Sequence, residues 1–250
     1  MEAYPSTLTD AQWARIRTIF EPSAHSRGGR PRVHSARHLV NAILYVMKQG
    51  CAWRALPHDF PPWKTVYCAK NRWTNRIVEA LTALRVSANP SVGILDSTFI
   101  ESSYGGSQSA PNGYKRATGC GVHVPVDKHQ HVLSWCTLPG RRPDVAGARA
   151  IIPSAKRRFP TLTTVLGDKA YAGRPLHEEM RLLGVHMDAA SPALPKGVIF
   201  SPMPLRWRIE QFFSWLVKWR RVSKDWAKSP AGFASDVAWC LLGVTLRRRR

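Results

Sequence analysis

Three carboxylates in this chain have the surroundings that two-metal phosphoryl transfer requires. Asp96 ends the apolar run Ser91-Val-Gly-Ile-Leu-Asp96, and Asp168 ends the run Leu162-Thr-Thr-Val-Leu-Gly-Asp168. Glu210 lies in the helix-like segment Leu205-Arg-Trp-Arg-Ile-Glu-Gln-Phe-Phe-Ser-Trp-Leu216. Taking a carboxylate out of water is costly unless a cation offsets it. Two oxygen donors from strand ends and one from a helix suit Mg²⁺ or Mn²⁺, which prefer carboxylate and water. Two such ions roughly 3.5–4 Å apart activate a nucleophile and stabilise the leaving oxygen of an in-line displacement. The plain alternative makes the two aspartates strand-end caps and Glu210 an ion-pair partner of Arg206. Each acid alone fits that alternative; three at positions consistent with one fold favour a shared site.

The elements that must carry these acids follow from periodicity. Val92, Ile94 and Asp96 share one face of a strand over 92–99, and Leu162, Thr164, Leu166 and Asp168 share one face of a strand over 162–168. Residues 121–126 and 132–138 alternate around Asp127-Lys-His-Gln130 and predict a hairpin. Asp144 caps a helix running toward Phe159, a second helix spans 175–183 and ends at Gly184, and 185–188 is a short strand. The remainder is helical, with Ile209, Phe212, Phe213 and Leu216 as an apolar stripe that Glu210 flanks. The expected fold is α/β: a ribonuclease-H-like mixed sheet, three antiparallel strands then parallel ones, flanked by helices. Asp96 and Asp168 then end adjacent strands at one sheet edge.

Residues 1–88 form an expected all-α, helix-turn-helix-like domain, and 89–250 the catalytic domain with its C-terminal helix and basic tail. Thr9-Asp-Ala-Gln12 is a capping box. Amphipathic helices follow through Leu39 to Met47 and through Tyr67, Trp73, Ile77 and Leu81, separated by the proline-marked break Pro57-His-Asp-Phe-Pro-Pro62. Arg27-Gly-Gly-Arg-Pro-Arg32 resembles an AT-hook, which inserts arginines such as Arg30 and Arg32 into a narrow minor groove; a solvated basic linker fits equally. Lys64, Lys70, Arg72 and Arg76 lie on the expected recognition helix as phosphate contacts, and Lys115 joins them as a DNA-binding candidate. Trp53, Trp63 and Trp73 are expected as core anchors.

Composition bounds the partners. The 250 residues carry 37 Lys+Arg against 16 Asp+Glu, a formal net charge of +21, which asks for a polyanion. A hydrophobic fraction of 44% with 10 Trp excludes a disordered basic tail. Five scattered cysteines without a Cys-x-x-Cys pair predict a reducing, cytoplasmic setting. Cys120-x-x-His123 with His129, His131 and Cys136 could bind zinc, but a hairpin whose turn holds histidines accounts for them better. No apolar run reaches the roughly 20 residues of a membrane span. The best candidate, 233–246, contains Asp236 and runs into four arginines.

Taken together these segments resemble bacterial insertion-sequence transposases of the DDE class, in the group around insertion sequence five. Leu8-Thr-Asp-Ala-Gln-Trp13, Gly29-Arg-Pro-Arg32, Cys51-Ala-Trp-Arg-Ala-Leu-Pro57 and Phe60-Pro-Pro-Trp-Lys-Thr-Val-Tyr67 look like that group's N-terminal domain. Leu95-Asp-Ser-Thr-Phe-Ile100, Gly167-Asp-Lys-Ala-Tyr-Ala-Gly173 and Arg206-Trp-Arg-Ile-Glu-Gln-Phe-Phe-Ser-Trp-Leu216 look like the segments holding its three catalytic acids. The chain departs from the pattern at Lys169, where relatives often carry a small or acidic residue. It departs again at Val217, where relatives carry a lysine whose role would fall to Lys218 or Lys224. Asp144 also falls where relatives often carry an Asp.

The resemblance implies metal-dependent cleavage at the ends of a mobile DNA element and transesterification of the freed 3′-hydroxyl into target DNA. Asp96, Asp168 and Glu210 would hold Mg²⁺ or Mn²⁺, while Arg206 and Lys224 would contact phosphates. The implied partners are terminal inverted repeats and target DNA, bound by a homodimer or larger synaptic complex near the bacterial nucleoid. Two alternatives keep the same acids or abandon them: a ribonuclease-H-like nuclease without strand transfer, or a catalytically silent DNA-binding repressor derived from a transposase.

Overall fold

The computed structural model describes residues 4–21, 33–85, 89–104, 110–113, 116–189 and 205–247. Arg30, Arg32 and Lys115 lie outside them, as does the AT-hook-like segment. The chain divides into two compact units. The first comprises Met1–Arg85, Leu216–Lys224 and Ala231–Arg250, the second Val86–Trp215 and Asp225–Pro230.

In the first unit, α1 (Asp10–Ala14) starts at the expected capping box: Thr9 Oγ1 accepts from the Gln12 amide and Gln12 Oε1 accepts from the Thr9 amide. It is followed by α2 (Arg17–Phe20). Next, α3 (Ala36–Gln49) is capped by Ser35 and stopped by Gly50, whose φ of 70° is left-handed. Then come α4 (Trp63–Trp73) and α5 (Ile77–Ala83). Trp73 is buried, as a core anchor should be, while Trp53 and Trp63 are half-buried.

The second unit holds a six-stranded sheet made of β1 (Val92–Glu101), β2 (Ala110–Asn112), β3 (Ala117–Asp127), β4 (Cys136–Pro139), β5 (Thr164–Leu166) and β6 (His186–Asp188). The strand order is β2-β3-β1-β5-β6, with β4 also on β3. Strands β1, β3 and β4 pair antiparallel, whereas β5 joins β1 and β6 joins β5 in parallel. This is the expected mixed order, three antiparallel strands and then parallel additions. The hairpin is looser than expected, because Val132 makes only an isolated bridge to Val126 before β4 begins. Helices α6 (Asp144–Arg158) and α7 (Arg174–Leu182) supply Ala148, Ile151, Ile152, Leu176 and Met180 to a core that also buries Leu95, Leu162, Val165 and Tyr171. Asp144 is the first residue inside α6; Pro143 occupies the cap position. α8 (Trp207–Leu216) buries the expected stripe of Ile209, Phe212, Phe213 and Leu216.

After α8 the chain departs from the expected domain boundary at residue 89. α9 (Arg220–Ser223) and α10 (Pro230–Arg247) belong mainly to the first unit, not to the sheet domain. A buried charge network explains why. Asp236 of α10 pairs with Lys70 of α4 at 2.5 Å and with Arg221 of α9 at 3.0 Å, and all three side chains are almost fully buried. Trp239 packs beside Phe20 and donates its indole N–H to the Lys70 carbonyl. Lys70 is therefore no surface phosphate contact. Its helical spacing placed it among the basic residues, but a distant acid takes its charge inward. Arg76 is likewise engaged, donating to the Ile19 carbonyl at 2.7 Å, while Lys64 and Arg72 stay exposed.

Removing one member of a buried ion network leaves uncompensated charge and costs about 3–5 kcal/mol. Asp236→Ala should lower the unfolding free energy, read from a fall in the denaturant midpoint, by an amount of that order. Lys70→Ala should lose DNA affinity only as far as it loses folded protein, whereas Arg72→Ala should melt like the parent chain.

Candidate active site

Adjacent parallel strands set the two aspartates level with each other. Ile94 of β1 stands opposite Leu166 of β5, so Asp96 and Asp168 each lie two residues further on. The ladder to β5 stops at Leu166, short of the expected strand end. Asp168 instead caps a single 3₁₀ turn over Lys169–Tyr171, its Oδ1 accepting from the Ala170 amide at 2.9 Å. Gly167 permits this turn, because a side chain there would collide with the Tyr171 ring. Asp96 sits inside the sheet, opposite Val124 of β3, and its Oδ1 accepts from the Ser97 amide at 2.7 Å.

Burial dominates the electrostatics. Desolvation pushes the Asp96 carboxyl up to about 6, and the charges of Asp168 and Asp144 push the same way. The Ser97 amide and the Arg206 guanidinium pull it back. Tyr171 feels the same crowd: burial first, then Asp144, Asp96 and Asp168, raise its hydroxyl far above the ordinary phenol range. That hydroxyl is buried and finds no hydrogen-bond partner among the described residues. Like charges gathered in a low-dielectric site form the donor set that a hard divalent cation neutralises, and carboxylate oxygens are its preferred ligands. Asp96 and Asp168 therefore fit such an ion.

The third acid stands apart. Glu210 is exposed on α8, and among the described residues no three His, Cys, Asp or Glu side chains lie close enough to hold a metal. The same observation removes the zinc arrangement considered for Cys120, His123, His129, His131 and Cys136. Asp144, whose charge acts on Asp96, is bonded to the next residue of β1: it accepts from Ser97 Oγ at 2.6 Å. Sequence reading treats it as a helix cap, because nothing local ties residue 144 to residue 97. Arg206, just before α8, reaches Asp96 electrostatically and lowers its carboxyl. Lys224 follows α9 in extended conformation.

The α8 helix is held by the turn after β3. Gln130, with a left-handed φ of 59°, donates through Nε2 to the Arg208 carbonyl and to Gln211 Oε1, at 2.7 and 2.8 Å. Arg208 returns a bond to the Lys128 carbonyl. Asp127 organises this turn by accepting from the amides of His129 and His131.

Two family models match separate stretches of the chain. Residues 8–80 match one described as "Putative transposase of IS4/5 family", and residues 87–191 match one described as "Transposase DDE domain". The second interval contains Asp96, Asp144 and Asp168. No curated protein matches the chain. Among solved structures, a pre-cleavage Mos1 transpososome aligns over 92% of this chain and 84% of its own at 11% identity, with a TM-score of 0.26. No helix among the described residues is long and apolar enough to cross a membrane.

The raised Asp96 carboxyl gives a signed pH dependence. Below about pH 4 the group is protonated whether folded or unfolded, and its burial costs nothing extra. Between about pH 4 and 6 the unfolded chain gives up this proton while the folded one keeps it, so stability falls with pH and the loss levels off above 6 at up to about 3 kcal/mol. Asp96→Asn should therefore match the parent melting temperature near pH 4 in EDTA and exceed it above pH 6. Mn²⁺ should then raise the parent and leave the variant unmoved.

Proposed function

We propose the following roles for the acids of a chain that belongs to the DDE transposases, with an N-terminal region of the IS4/5 type. Asp96 and Asp168 hold a divalent cation, Mg²⁺ or Mn²⁺, and Glu210 completes the set on bound DNA, when its side chain swings in from the clamped first turn of α8. The observation that carries this reading is the crowding of Asp96 by Asp168 at one level of adjacent parallel strands, with burial raising its carboxyl. Bound there, the metal supplies Lewis acidity at the scissile phosphate and lowers the pKa of the attacking water or 3′-hydroxyl. The chain's own side chains do the rest. Arg206 places a phosphate oxygen beside Asp96, and the Gln130–Arg208–Gln211 clamp keeps the first turn of α8 in register with the sheet. Burial of Asp96 keeps bulk water from screening the site.

DNA ends are the partner that the net charge of +21 suits. Within the first unit, Lys64 and Arg72 line a groove of about 500 Å³ with Val33, His34, Thr65 and Cys68, and this groove takes a backbone phosphate. Arg30, Arg32, Lys115 and Lys224 are further phosphate-contact candidates. Synapsis of two element ends calls for at least a homodimer.

Asp168→Asn and Glu210→Gln should each abolish Mn²⁺-dependent cleavage of an element end and leave end binding intact in a mobility-shift assay. Loss of binding in both would mean that the variants misfold. Unimpaired cleavage by Glu210→Gln would remove it from the metal set. A joined product alongside the cleaved one separates transposition from hydrolysis alone. Lys64→Ala with Arg72→Ala should reduce the slope of log affinity against log salt by roughly two, about one for each phosphate that is no longer neutralised; an unchanged slope would refute the groove assignment.

A further inference from the structure

Asp144 enters the site from a third element, the first turn of α6. Its Oδ1 accepts from Ser97 Oγ at 2.6 Å and lies 3.8 Å from His123 Nδ1. Ser97 follows Asp96 on β1, and its amide donates to Asp96 Oδ1 at 2.7 Å. One serine thus bridges two carboxylates, its backbone holding one and its hydroxyl the other.

The buried side of this bridge is built around Asp144. Ser97 stands opposite His123 in the β1–β3 register, and the His123 ring is buried with no hydrogen-bond partner on Nδ1 among the described residues. The Tyr171 hydroxyl is buried and unpartnered too, and the Asp144 charge acts on both groups. Buried polar atoms are normally satisfied, so two orphans within electrostatic reach of one carboxylate mark a place organised for more than packing. Gly147 seats α6 on this spot, since a side chain there would overlap the imidazole. Asp144 itself is 40% exposed, so its replacement opens no cavity in the core.

We propose that Asp144 is a positioning residue for Asp96, acting through the Ser97 hydroxyl. The inference rests on Asp96 being a metal ligand. Anchoring Ser97 at both its amide and its hydroxyl fixes the stretch of β1 that aims the Asp96 carboxylate, and α6 supplies a rigid mount for the anchor. Groups that hydrogen-bond around metal ligands commonly govern affinity by 10–100-fold without touching the ion.

The test is Mn²⁺ binding to the full chain, followed by electron paramagnetic resonance, with thermal melting in EDTA as the companion measurement. Ser97→Ala and Asp144→Ala should each raise the Mn²⁺ half-saturation concentration about tenfold, with melting essentially unchanged. Asp144→Asn keeps an oxygen that accepts from Ser97 and should stay within about twofold of the parent. Three results overturn the proposal. Asp144→Asn as weak as Asp144→Ala means that the carboxylate acts by its charge. Normal affinity in Ser97→Ala means that the hydroxyl is not the link. Losses that track melting mean that Asp144 only starts a helix. Asp96→Asn is the control for the premise: if it binds Mn²⁺ as the parent does, or the parent binds none, the metal-ligand reading of Asp96 fails and Asp144 falls with it.

Discussion

The sheet unit is organised around a carboxyl group that it does not neutralise. Asp96 is driven up to about 6 by burial, and the nearest acids, Asp168 and Asp144, worsen the imbalance that Arg206 only partly offsets. A folded protein ordinarily avoids this, because each buried charge without a partner subtracts from a small net stability. Here the backbone makes the arrangement unavoidable. Antiparallel pairing with β3 and parallel pairing with β5 hold Asp96 at the level of Asp168, and the 3₁₀ turn over Lys169–Tyr171 holds Asp168 through its own side chain. Neither carboxylate can leave without breaking a strand or a cap.

How much of this was legible in the sequence depends on the range of the interaction. Thr9 with Gln12 and Gly50 at the end of α3 are local signals, and the helices start and stop where those residues ask. The period-two rows ending in Asp96 and Asp168 pointed to the sheet and the pair of aspartates, since alternation is itself a local property. Asp144 read first as a helix start and only second, through the family resemblance, as a functional residue, because its partner, Ser97, is 47 residues away. Tyr171 stood inside a recognisable motif, yet its buried hydroxyl depends on three acids from three elements.

The return of α9 and α10 to the first unit was hidden for the same reason. A change from helical to alternating pattern near residue 89 is real, but pattern says nothing about where a later helix returns. α10 meets α4 through Asp236 and Lys70, 166 positions apart, and through the Trp239 indole on the Lys70 carbonyl. Lys70 in turn looked like a surface cation because its spacing on α4 was compatible with either face, and the overall excess of basic residues favoured the wrong one. Charge counts describe a surface only after the paired residues are taken out of the count.

The two units treat a buried acid in opposite ways, and the difference separates scaffold from site. Asp236 has two cations within 3.0 Å, so its desolvation is offset by the chain itself and the network locks α4, α9 and α10 together. Asp96 has two acids for company instead, and its desolvation is left standing. A buried carboxylate matched by lysine or arginine needs nothing further. One surrounded by its own sign is stable only at a cost that an external cation can remove, so the free energy withheld during folding becomes available for binding. The exposed position of Glu210 on α8 fits this division, because a third carboxylate added before the cation arrives would deepen the same penalty. In the proposed reading, holding that acid on a separate helix, tied to the turn after β3 by Gln130 and Arg208, lets the chain fold with two aspartates crowded and defers the third until there is charge to meet it.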